Sequence, residues 1–348
     1  MNHREDRGRP EWTDERAHTV RTYSELISHI EPTPRERAFF EGSGTGDLDF
    51  AVTTYYLSLT GGEDGDPIRR QCIPTDLERR ELPYETADPL QDEAHSPVPR
   101  LVHRYRDRVL LMVTGECAVY CRHCFRRHFS GGRRGAIGIG ELQRAAAYIA
   151  SHPGLEEIIL SGGDPLTLSD EKIAGILDSL RKARPGIVVR IATRMPVVLP
   201  SRITDETVEM LADRSPVFVV TQYNHPCELT VESTAAVSRL VEAGLPVLNQ
   251  AVLLRGVNDD ENVLEELFHG LVARRVFPYY LFQGDLAAGT SHFRVPLARG
   301  MELVSRLRQR LSGMAMPVYA LDLPGGGGKI PLTESYLVSG PDEKTAGE

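Results

Sequence analysis

Three closely spaced cysteines are the residues of this sequence best suited to chemistry. Cys117, Cys121 and Cys124 follow an apolar run at residues 109–114 and have the spacing C-x3-C-x2-C. Thiolates are the usual ligands of iron–sulfur clusters, so the spacing predicts a [4Fe–4S] cluster held at three of its four irons. No fourth cysteine lies within about the next hundred residues. The fourth iron is therefore predicted to stay open to a small chelating molecule.

Structural zinc is the main alternative for these cysteines, with His123 or His128 completing a four-ligand site. Zinc sites of this type usually combine two knuckles, however, and the sequence contains no second C-x2-C pair. Inert thiols buried in an apolar core are another alternative. Arg122, Arg126 and Arg127 lie beside the cysteines and argue against such an environment.

Length and composition restrict the class of protein. A chain of 348 residues with 41% hydrophobic and 26% charged residues fits one large domain, or one domain with an extension. Its net charge of −9 argues against nucleic acid as a partner, because phosphate binding requires a basic surface. No apolar run approaches the roughly 20 residues of a membrane span, and no signal segment is predicted. Five cysteines, three of them clustered, favour a cytoplasmic protein.

The sequence predicts three regions: a helical N-terminal extension and connection at residues 1–100, a catalytic region at 101–339 and a short tail at 340–348. Residues 1–20 are charged and are expected to be mobile. Periodic apolar positions predict short amphipathic helices within residues 22–59.

Two proline-bearing segments of the first region, at 67–74 and 88–100, are predicted to be extended. Cys72 lies alone in the first of these segments. A buried structural thiol is its expected role.

Apolar strands alternate with amphipathic helices from about residue 103 onward. The predicted strands are 108–114, 156–161, 187–193, 216–222, 246–254, 278–283 and 317–321. The predicted helices are 138–152, 170–183, 204–213, 231–243, 261–275 and 297–311. Strands rich in Val and Ile, each followed by a helix, indicate a parallel sheet buried on both faces. Because polar motifs recur just after successive strands, the pattern favours an α/β fold of the incomplete (β/α)6-type barrel kind, with its chemistry at the carboxyl edge.

The motif Ser161-Gly-Gly-Asp-Pro165 follows the second predicted strand. Alone the motif is weak evidence for a binding site, because such a sequence also makes an ordinary turn. Its position one strand after the cysteine loop strengthens this evidence, since its glycines let the backbone approach a ligand and Asp164 can receive positive charge. We therefore expect it to contact the amino group of a molecule bound to the open iron.

A pair of amides, Asn249 and Gln250, interrupts an otherwise apolar fifth strand. One interpretation is that the two amides are hydrogen-bonded inside the core. In a barrel, the favoured interpretation is that the two side chains line the central cavity.

The motif Pro324-Gly-Gly-Gly-Gly-Lys329 follows the last predicted strand. It is not a phosphate-binding P-loop, because Ile330 stands where that motif requires Ser or Thr. One alternative is a flexible linker with a solvated lysine. The other is a loop that delivers Lys329 to a cavity, where a lysine can form a Schiff base with pyridoxal phosphate (PLP).

Together these residues resemble the lysine 2,3-aminomutase family, the PLP-dependent members of the radical S-adenosylmethionine (SAM) superfamily. The resemblance extends from about residue 55 to residue 339. Its blocks are residues 67–71, 96–99, 103–111, 117–129, 160–166, 249–259, 279–281, 292–294 and 322–329. It implies a radical SAM barrel with a helical N-terminal extension and a C-terminal loop that carries the PLP lysine.

The resemblance also implies a role for individual residues. Lys329 would bind PLP, Arg104 and Arg108 its phosphate, and Tyr105 would lie beside its ring. Arg126 would pair with the substrate α-carboxylate, and Asp285 and Asp322 with its distal ammonium. The expected SAM contacts are Ser161, Gly162, Gly163, Asp164 and Gln250.

The activity implied by the resemblance is an isomerisation. The α-amino group of L-lysine would move to the neighbouring carbon and give β-lysine, through a 5′-deoxyadenosyl radical and a PLP aldimine. An electron donor such as flavodoxin or ferredoxin and a possible homo-oligomer are the implied partners.

The sequence departs from the family pattern in two places. Gln222 stands where histidine is expected. Free-lysine aminomutases typically carry a further segment after the PLP lysine, whereas this chain ends about twenty residues beyond Lys329, which leaves the oligomeric state open.

Several alternative functions remain at this point. Residues 124–129 also resemble the relative that isomerises lysine for attachment to elongation factor P, and arginine stays a possible substrate. Glutamate is disfavoured by Asp285 and Asp322. A catalytically inactive iron–sulfur module is the alternative outside the enzymes.

Overall fold

The structure is a computed structural model that describes residues 11–42, 48–131 and 134–333. Its central feature is a sheet in which the strands lie side by side in chain order. The strands are β1 (Leu101–Tyr105), β2 (Arg108–Thr114), β3 (Glu157–Gly162), β4 (Val188–Ala192), β5 (Val217–Thr221), β6 (Val247–Leu253), β7 (Phe277–Gln283), β8 (Val318–Asp322) and β9 (Lys329–Pro331). The predicted tail at 340–348 lies outside the described residues.

Strands β2 to β8 are parallel, and they match the seven predicted strands. At the two edges, β1 and β9 are antiparallel to their neighbours and form hairpins that the sequence did not predict. The sheet curls until these edges meet through side chains, where Arg104 Nη2 of β1 donates to Asp322 Oδ1 of β8 over 3.0 Å. The predicted incomplete barrel is therefore confirmed.

The strand-to-strand helices cover the outer face of the sheet. They are α6 (Ile139–Ala150), α7 (Asp170–Ala183), α8 (Met195–Val198), α9 (Asp205–Ala212), α10 (Val231–Glu242), α11 (Glu261–Ala273) and α12 (Leu297–Leu307). All except the short α8 were predicted. Helix α11 shows why they form: Asp260 caps its first turn. Leu264, Leu267, Phe268 and Leu271 recur at helical spacing and are fully buried.

The N-terminal region is helical, as predicted. Its helices are α1 (Glu11–Ala17), α2 (Tyr23–His29), α3 (Pro34–Glu41), α4 (Thr54–Ser58) and α5 (Pro67–Cys72). The prediction of an extended segment at 67–74 is wrong, because Asp66 caps α5 by accepting from the backbone N–H groups of Ile68 and Arg69. Proline is favourable at the first position of such a helix. The expected buried thiol of Cys72 is confirmed.

The prediction of a mobile terminus is wrong for residues 11–20. Trp12 is buried, and the Arg202 guanidinium carbon lies 4.4 Å from the centre of its ring. Val20 forms a backbone bridge with Val52. A charged composition missed these contacts, because one aromatic ring over a buried arginine is enough to dock a short helix. Within the ranges given above, no helix is both long and apolar enough to cross a membrane.

Candidate active site

A cavity of about 300 Å³ opens inside the curled sheet. The structure brings all of the residues predicted to bind cofactors or substrate to its wall. They are Arg104, Tyr105, Arg108, Cys117, Cys121, Cys124, Arg126, Ser161, Gly162, Gly163, Asp164, Gln250, Asp285, Asp322 and Lys329. The cysteines and the residues after β3 and β4 form one end, called here the cluster end. Lys329 and the two edge hairpins form the other, called here the lysine end.

Strand alternation decides which residues reach this cavity. In β6 the odd-numbered residues are buried, whereas the even-numbered ones are partly accessible. Gln250 accordingly lines the cavity. The favoured interpretation fails for Asn249, whose side-chain oxygen accepts from the backbone N–H of Tyr223 at 2.7 Å and whose amide donates to the Tyr223 carbonyl. Asn249 thus joins β6 to the turn after β5.

The glycines of the Ser161–Asp164 turn are required by its packing against the cysteine loop. A Cβ on Gly162 would lie 2.4 Å from the Thr114 carbonyl oxygen, and one on Gly163 would lie 2.2 Å from that of Glu116. The backbone N–H of Gly163 donates to Thr114 at 2.7 Å. Any larger residue would separate the turn from the loop.

Asp164 has a defined structural task in addition to lining the cavity. Its carboxylate accepts from the Thr193 hydroxyl and the Arg194 backbone N–H, both at 2.7 Å, and from Leu166 at 3.0 Å. Burial raises the pKa of Asp164, although these hydrogen bonds oppose the rise. The residue therefore ties the end of β3 to the end of β4.

The three cysteines line the cluster end of the cavity. Burial raises the pKa of Cys117 and of Cys124, so iron binding would release protons. His123, considered above as a zinc ligand, instead shares a hydrogen bond with Gln222 at 3.1 Å. Among the described residues, no group of three or more His, Cys, Asp or Glu side chains is arranged to hold a single metal ion.

Arg194 is the main residue that the sequence analysis missed at the cluster end. It directly follows β4 and is buried. Its Nη1 lies 2.8 Å from Cys121 Sγ, and its Nη2 donates to Glu228 at 2.6 Å. A polar residue just after a strand was the signal that could have revealed it.

The lysine end is built from two cross-strand pairs. Tyr105 lies opposite Arg108 in the β1–β2 hairpin, and Asp322 lies opposite Lys329 in the β8–β9 hairpin. Lys329 therefore begins a strand directly after the glycine loop and lines the cavity, which agrees with a loop that delivers the lysine to the cavity and not with a flexible linker that carries a solvated lysine. Its Nζ donates to Asp322 Oδ2 at 2.8 Å. Asp322 Oδ1 accepts from the Tyr105 hydroxyl at 2.7 Å.

This arrangement perturbs the ionisation of both partners. Burial lowers the pKa of Lys329, and Arg108 and Arg104 lower it further, while Asp322 acts in the opposite direction. Burial alone would raise the pKa of Asp322, but Lys329, Tyr105 and Arg104 outweigh it and hold that pKa below its usual value. A lysine with a lowered pKa is a better nucleophile toward a carbonyl group.

The space around the Lys329 amine is suited to a planar ring. Its Nζ lies 5.4 Å from the ring centres of both Tyr105 and Phe282. The Arg108 guanidinium carbon lies 4.2 Å from the Tyr105 ring centre. Arg190, which the sequence analysis did not single out, also lines this part of the cavity.

Asp285 is the unpaired acid of the lysine end. Among the described residues, none donates a hydrogen bond to its carboxylate or forms an ion pair with it. Burial, followed by the nearby charge of Asp322, raises the pKa of Asp285 to about 7. Since an isolated buried charge is costly, this carboxylate favours a cationic ligand.

Asp92 is the second residue that the sequence analysis missed. It is buried, and its carboxylate accepts from Arg126 Nε at 2.9 Å and lies 3.8 Å from Arg104 Nη1. Arg126 Nη1 also lies 3.4 Å from the Ser161 hydroxyl. Asp92 thus fixes two arginines of the cavity, and nothing in the proline-rich sequence around it indicated this task.

Several buried polar atoms of the wall have no partner within the described ranges. They are Arg104 Nε, Ser130 Oγ and Thr221 Oγ1. Buried polar atoms are normally hydrogen-bonded, so these positions fit a polar ligand.

Comparison with known proteins agrees with this geometry. The Radical SAM superfamily model matches residues 111–267, from β2 into α11. A partial parallel barrel with three clustered cysteines at the edge of its cavity, together with this match, defines a radical SAM enzyme. That class uses a [4Fe–4S] cluster and SAM. A second family model, Lysine-2,3-aminomutase, matches residues 304–346.

Individual relatives narrow the class further. L-lysine 2,3-aminomutase of Clostridium subterminale is 44% identical over 96% of this chain and 81% of the relative. Glutamate 2,3-aminomutase of Clostridioides difficile is 40% identical over 92% of this chain and 75% of the relative. The Streptococcus suis SuiB structure bound to S-adenosylmethionine has a TM-score of 0.48 and 16% identity, and covers 66% of this chain and 52% of that chain. The chain belongs to the lysine 2,3-aminomutase family.

Proposed function

We propose that this enzyme is an L-lysine 2,3-aminomutase, an isomerase that moves the α-amino group of lysine to the neighbouring carbon and gives β-lysine. The observation that carries the proposal is the lysine end, where an unpaired acid, Asp285, lies in the same cavity as Lys329 and Asp322. An acid there suits a substrate with a distal ammonium. The relatives named L-lysine 2,3-aminomutase support the same substrate.

We assign the cofactors by the chemistry of the donor set. Cys117, Cys121 and Cys124 would hold the cluster, and residues 161–164 with Gln250 would contact SAM. Lys329 would hold PLP, with Tyr105 at its ring and the two arginines Arg104 and Arg108 at its phosphate. Arg104 Nε has no partner among the described residues and fits this assignment, since it leaves one buried N–H group for a phosphate oxygen. When bound, these groups supply the radical that removes a substrate hydrogen and the ring that stabilises the rearranging radical.

The chain itself would supply position and charge. Arg126, held by Asp92, presents its remaining N–H groups to the substrate carboxylate. Asp322 Oδ2 accepts a hydrogen bond from the Lys329 amine and fixes its position, while burial, Arg108 and Arg104 lower the pKa of Lys329 and favour its neutral, reactive form. Asp285 then pairs with the distal ammonium of the substrate. A cavity inside a curled sheet limits the access of water to the reacting groups.

Glutamate is the weaker alternative, although one relative carries that name. Its distal carboxylate would face Asp285 and Asp322, and like charges in a buried site repel. Arginine aminomutation, the elongation-factor-related isomerisation and an inactive module are the other candidates. The hydrogen-bonded Lys329 and the open cavity favour an active enzyme over the last of these.

We also propose the cellular setting. An electron donor such as flavodoxin or ferredoxin would reduce the cluster, and a homo-oligomer is compatible with the chain. Five cysteines without disulfides suit the reducing cytoplasm.

A side-by-side assay tests the substrate. The reconstituted enzyme, with SAM, PLP and a chemical reductant, is supplied anaerobically with lysine, arginine or glutamate, and the 3-amino products are measured. We expect lysine to give the highest kcat/KM. Faster turnover of arginine or glutamate would overturn the assignment, and absence of turnover despite a full cluster would support the inactive module. The Lys329→Ala variant, loaded with cluster, serves as the inactive control.

A further inference from the structure

We propose that Arg194 tunes the reduction potential of the cluster by donating an N–H group to the Cys121 thiolate. The inference rests on the proposed cluster site but not on the proposed substrate. Arg194 would be a positioning residue, because it acts on the iron through a ligand. The potential concerned is that of the one-electron reduction of the cluster by a low-potential donor, such as a small redox protein or dithionite.

The first observation is the direct contact. Arg194 Nη1 lies 2.8 Å from Cys121 Sγ, across 73 residues of sequence. A guanidinium that donates to a thiolate makes a charge-assisted hydrogen bond, which is stronger than a neutral one. Hydrogen bonds to cluster sulfurs are among the features that set the reduction potential.

The second observation is that the guanidinium is held from several sides. Nε donates to the Gln222 carbonyl at 3.0 Å, and Nη2 donates to Glu228 at 2.6 Å and to Gln71 at 2.9 Å. The backbone N–H of the same residue is held by Asp164. A side chain with this many partners cannot turn away from the sulfur at little cost.

The third observation is that the three cysteines differ. Within the described ranges, Cys121 accepts from a charged side chain, whereas Cys117 and Cys124 do not. A positive charge near one ligand favours the more negative, reduced cluster, so Arg194 raises the potential. The Glu228 carboxylate, fully buried behind Arg194, keeps the charge balanced in the core while the N–H group still points at the sulfur.

The test measures the midpoint potential of the cluster in protein loaded with iron and sulfide, without SAM, PLP or amino acid. At a potential that half-reduces the wild type, Arg194→Gln should lower the reduced-to-oxidised ratio about tenfold, which is about 59 mV for one electron. Arg194→Lys keeps the charge but loses the planar fork, and should give a smaller shift. Arg202→Lys is the matched control, since Arg202 is equally buried and paired with Asp170 but lies away from the cavity. Its potential should equal that of the wild type.

A second measurement takes its main result from the wild-type protein and uses two variants only to assign the signal. In wild-type protein labelled with ¹⁵N-arginine, pulsed EPR of the reduced cluster should detect a nitrogen coupling. This coupling should be absent from Arg194→Lys and present in Arg202→Lys. An unchanged potential in cluster-loaded Arg194→Gln, or no nitrogen coupling in the wild type, would overturn the proposal. An enzyme that fails to isomerise lysine would leave both measurements intact, so the two proposals fail separately.

Discussion

The two ends of the cavity are built on different principles. At the cluster end, backbone meets backbone: Gly162 and Gly163 lie against carbonyl oxygens of the cysteine loop, and Asp164 and Arg194 are hydrogen-bonded on several atoms. At the lysine end, charges balance across two hairpins through side-chain contacts, to which the Leu323 carbonyl adds one acceptor for Arg104 Nη2 at 2.8 Å. Lys329 has one carboxylate partner, and Asp285 has none among the described residues.

The difference follows from what each end must do. An inorganic cluster stays in one place, so a rigid setting lowers the cost of holding it. Under the proposed assignment, Lys329 exchanges between a cofactor and a substrate and must leave its ion pair in every cycle. The fold thus places its most extensive hydrogen bonding around the proposed cluster and its exchangeable charges where the proposed reaction changes covalent bonds. Variants at each end test this difference.

Removing one cluster ligand should have the largest effect. Cys121→Ala should abolish both iron binding at stoichiometric level and SAM cleavage, because two thiolates do not retain the cluster. Cys117→Ala and Cys124→Ala should behave alike. Iron and sulfide analysis after anaerobic reconstitution measures the loss. Cys227→Ala, at an exposed cysteine, is the control with full iron, and full iron in Cys121→Ala would refute the ligand assignment.

Removing the lysine should separate the two ends. Lys329→Ala should lose the yellow absorption of lysine-bound PLP and all lysine turnover, while iron content stays at the wild-type level. The reason is that no atom of Lys329 contributes to the cluster end. Borohydride trapping followed by peptide mapping checks the attachment site. A trapped cofactor on another lysine would show that the assignment is wrong.

Neutralising either aspartate should change substrate preference. Asp285→Asn and Asp322→Asn should each cost about 2–5 kcal/mol in kcat/KM for lysine, the cost of leaving a buried charge unpaired. The decisive quantity is the ratio of kcat/KM for lysine over uncharged norleucine, which both variants should narrow. If both lose stability but keep this ratio, the carboxylates are structural.

The pH dependence of stability should have opposite signs for the two aspartates. The raised pKa of Asp285 makes the folded chain hold a proton that the unfolded chain releases, so stability falls as pH rises from about 4 to about 7. The lowered pKa of Asp322 gives stability that is present above the usual carboxyl pKa of about 4 and lost below it.

Melting of the cofactor-free chain measures this contrast. The difference in Tm between Asp285→Asn and the wild type should increase by a few degrees between pH 4.5 and 7 and then level off. This size follows from a Tm shift of about 2–4 °C for each kcal/mol of stability. Asp322→Asn should melt below the wild type at pH 7, and this deficit should shrink on acidification. Differences in Tm that do not change with pH would contradict the pKa shifts of both aspartates.

Sequence patterns alone predicted the central sheet well, because β2 to β7 are each a local apolar run followed by a helix. The run at 108–114 coincides with β2. They missed β9, since three residues after a glycine run carry no strand signal of their own and pair only once β8 is in place. They also missed α5, because the prolines at 67 and 74 favour an extended segment. Asp66 instead caps a helix that begins at Pro67.

The part of the candidate site that lies in short sequence motifs was predictable. The three cysteines lie within residues 117–124 and the glycine turn within residues 161–165, and the spacing inside each motif indicates its chemistry. Asp92 was not predictable, because its meaning depends on Arg126, 34 residues away, and on Arg104. Spacing also cannot tell that Asp322 faces Lys329 rather than solvent, since this depends on the register of a hairpin.

The contact between the two ends of the sheet affects the order in which parts of the protein unfold. The contact between Arg104 and Asp322 closes a loop of 218 residues, whereas the glycine turn and the cysteine loop are joined across fewer than 50 residues. Long loops cost more entropy to close and form later in folding. We expect the β8–β9 hairpin to detach while the cluster half stays folded, so amide hydrogen exchange should be faster in β9 than in β3. Equal protection of both strands would contradict this order. Lys329 would then be the last catalytic group to reach its place and the first to leave it.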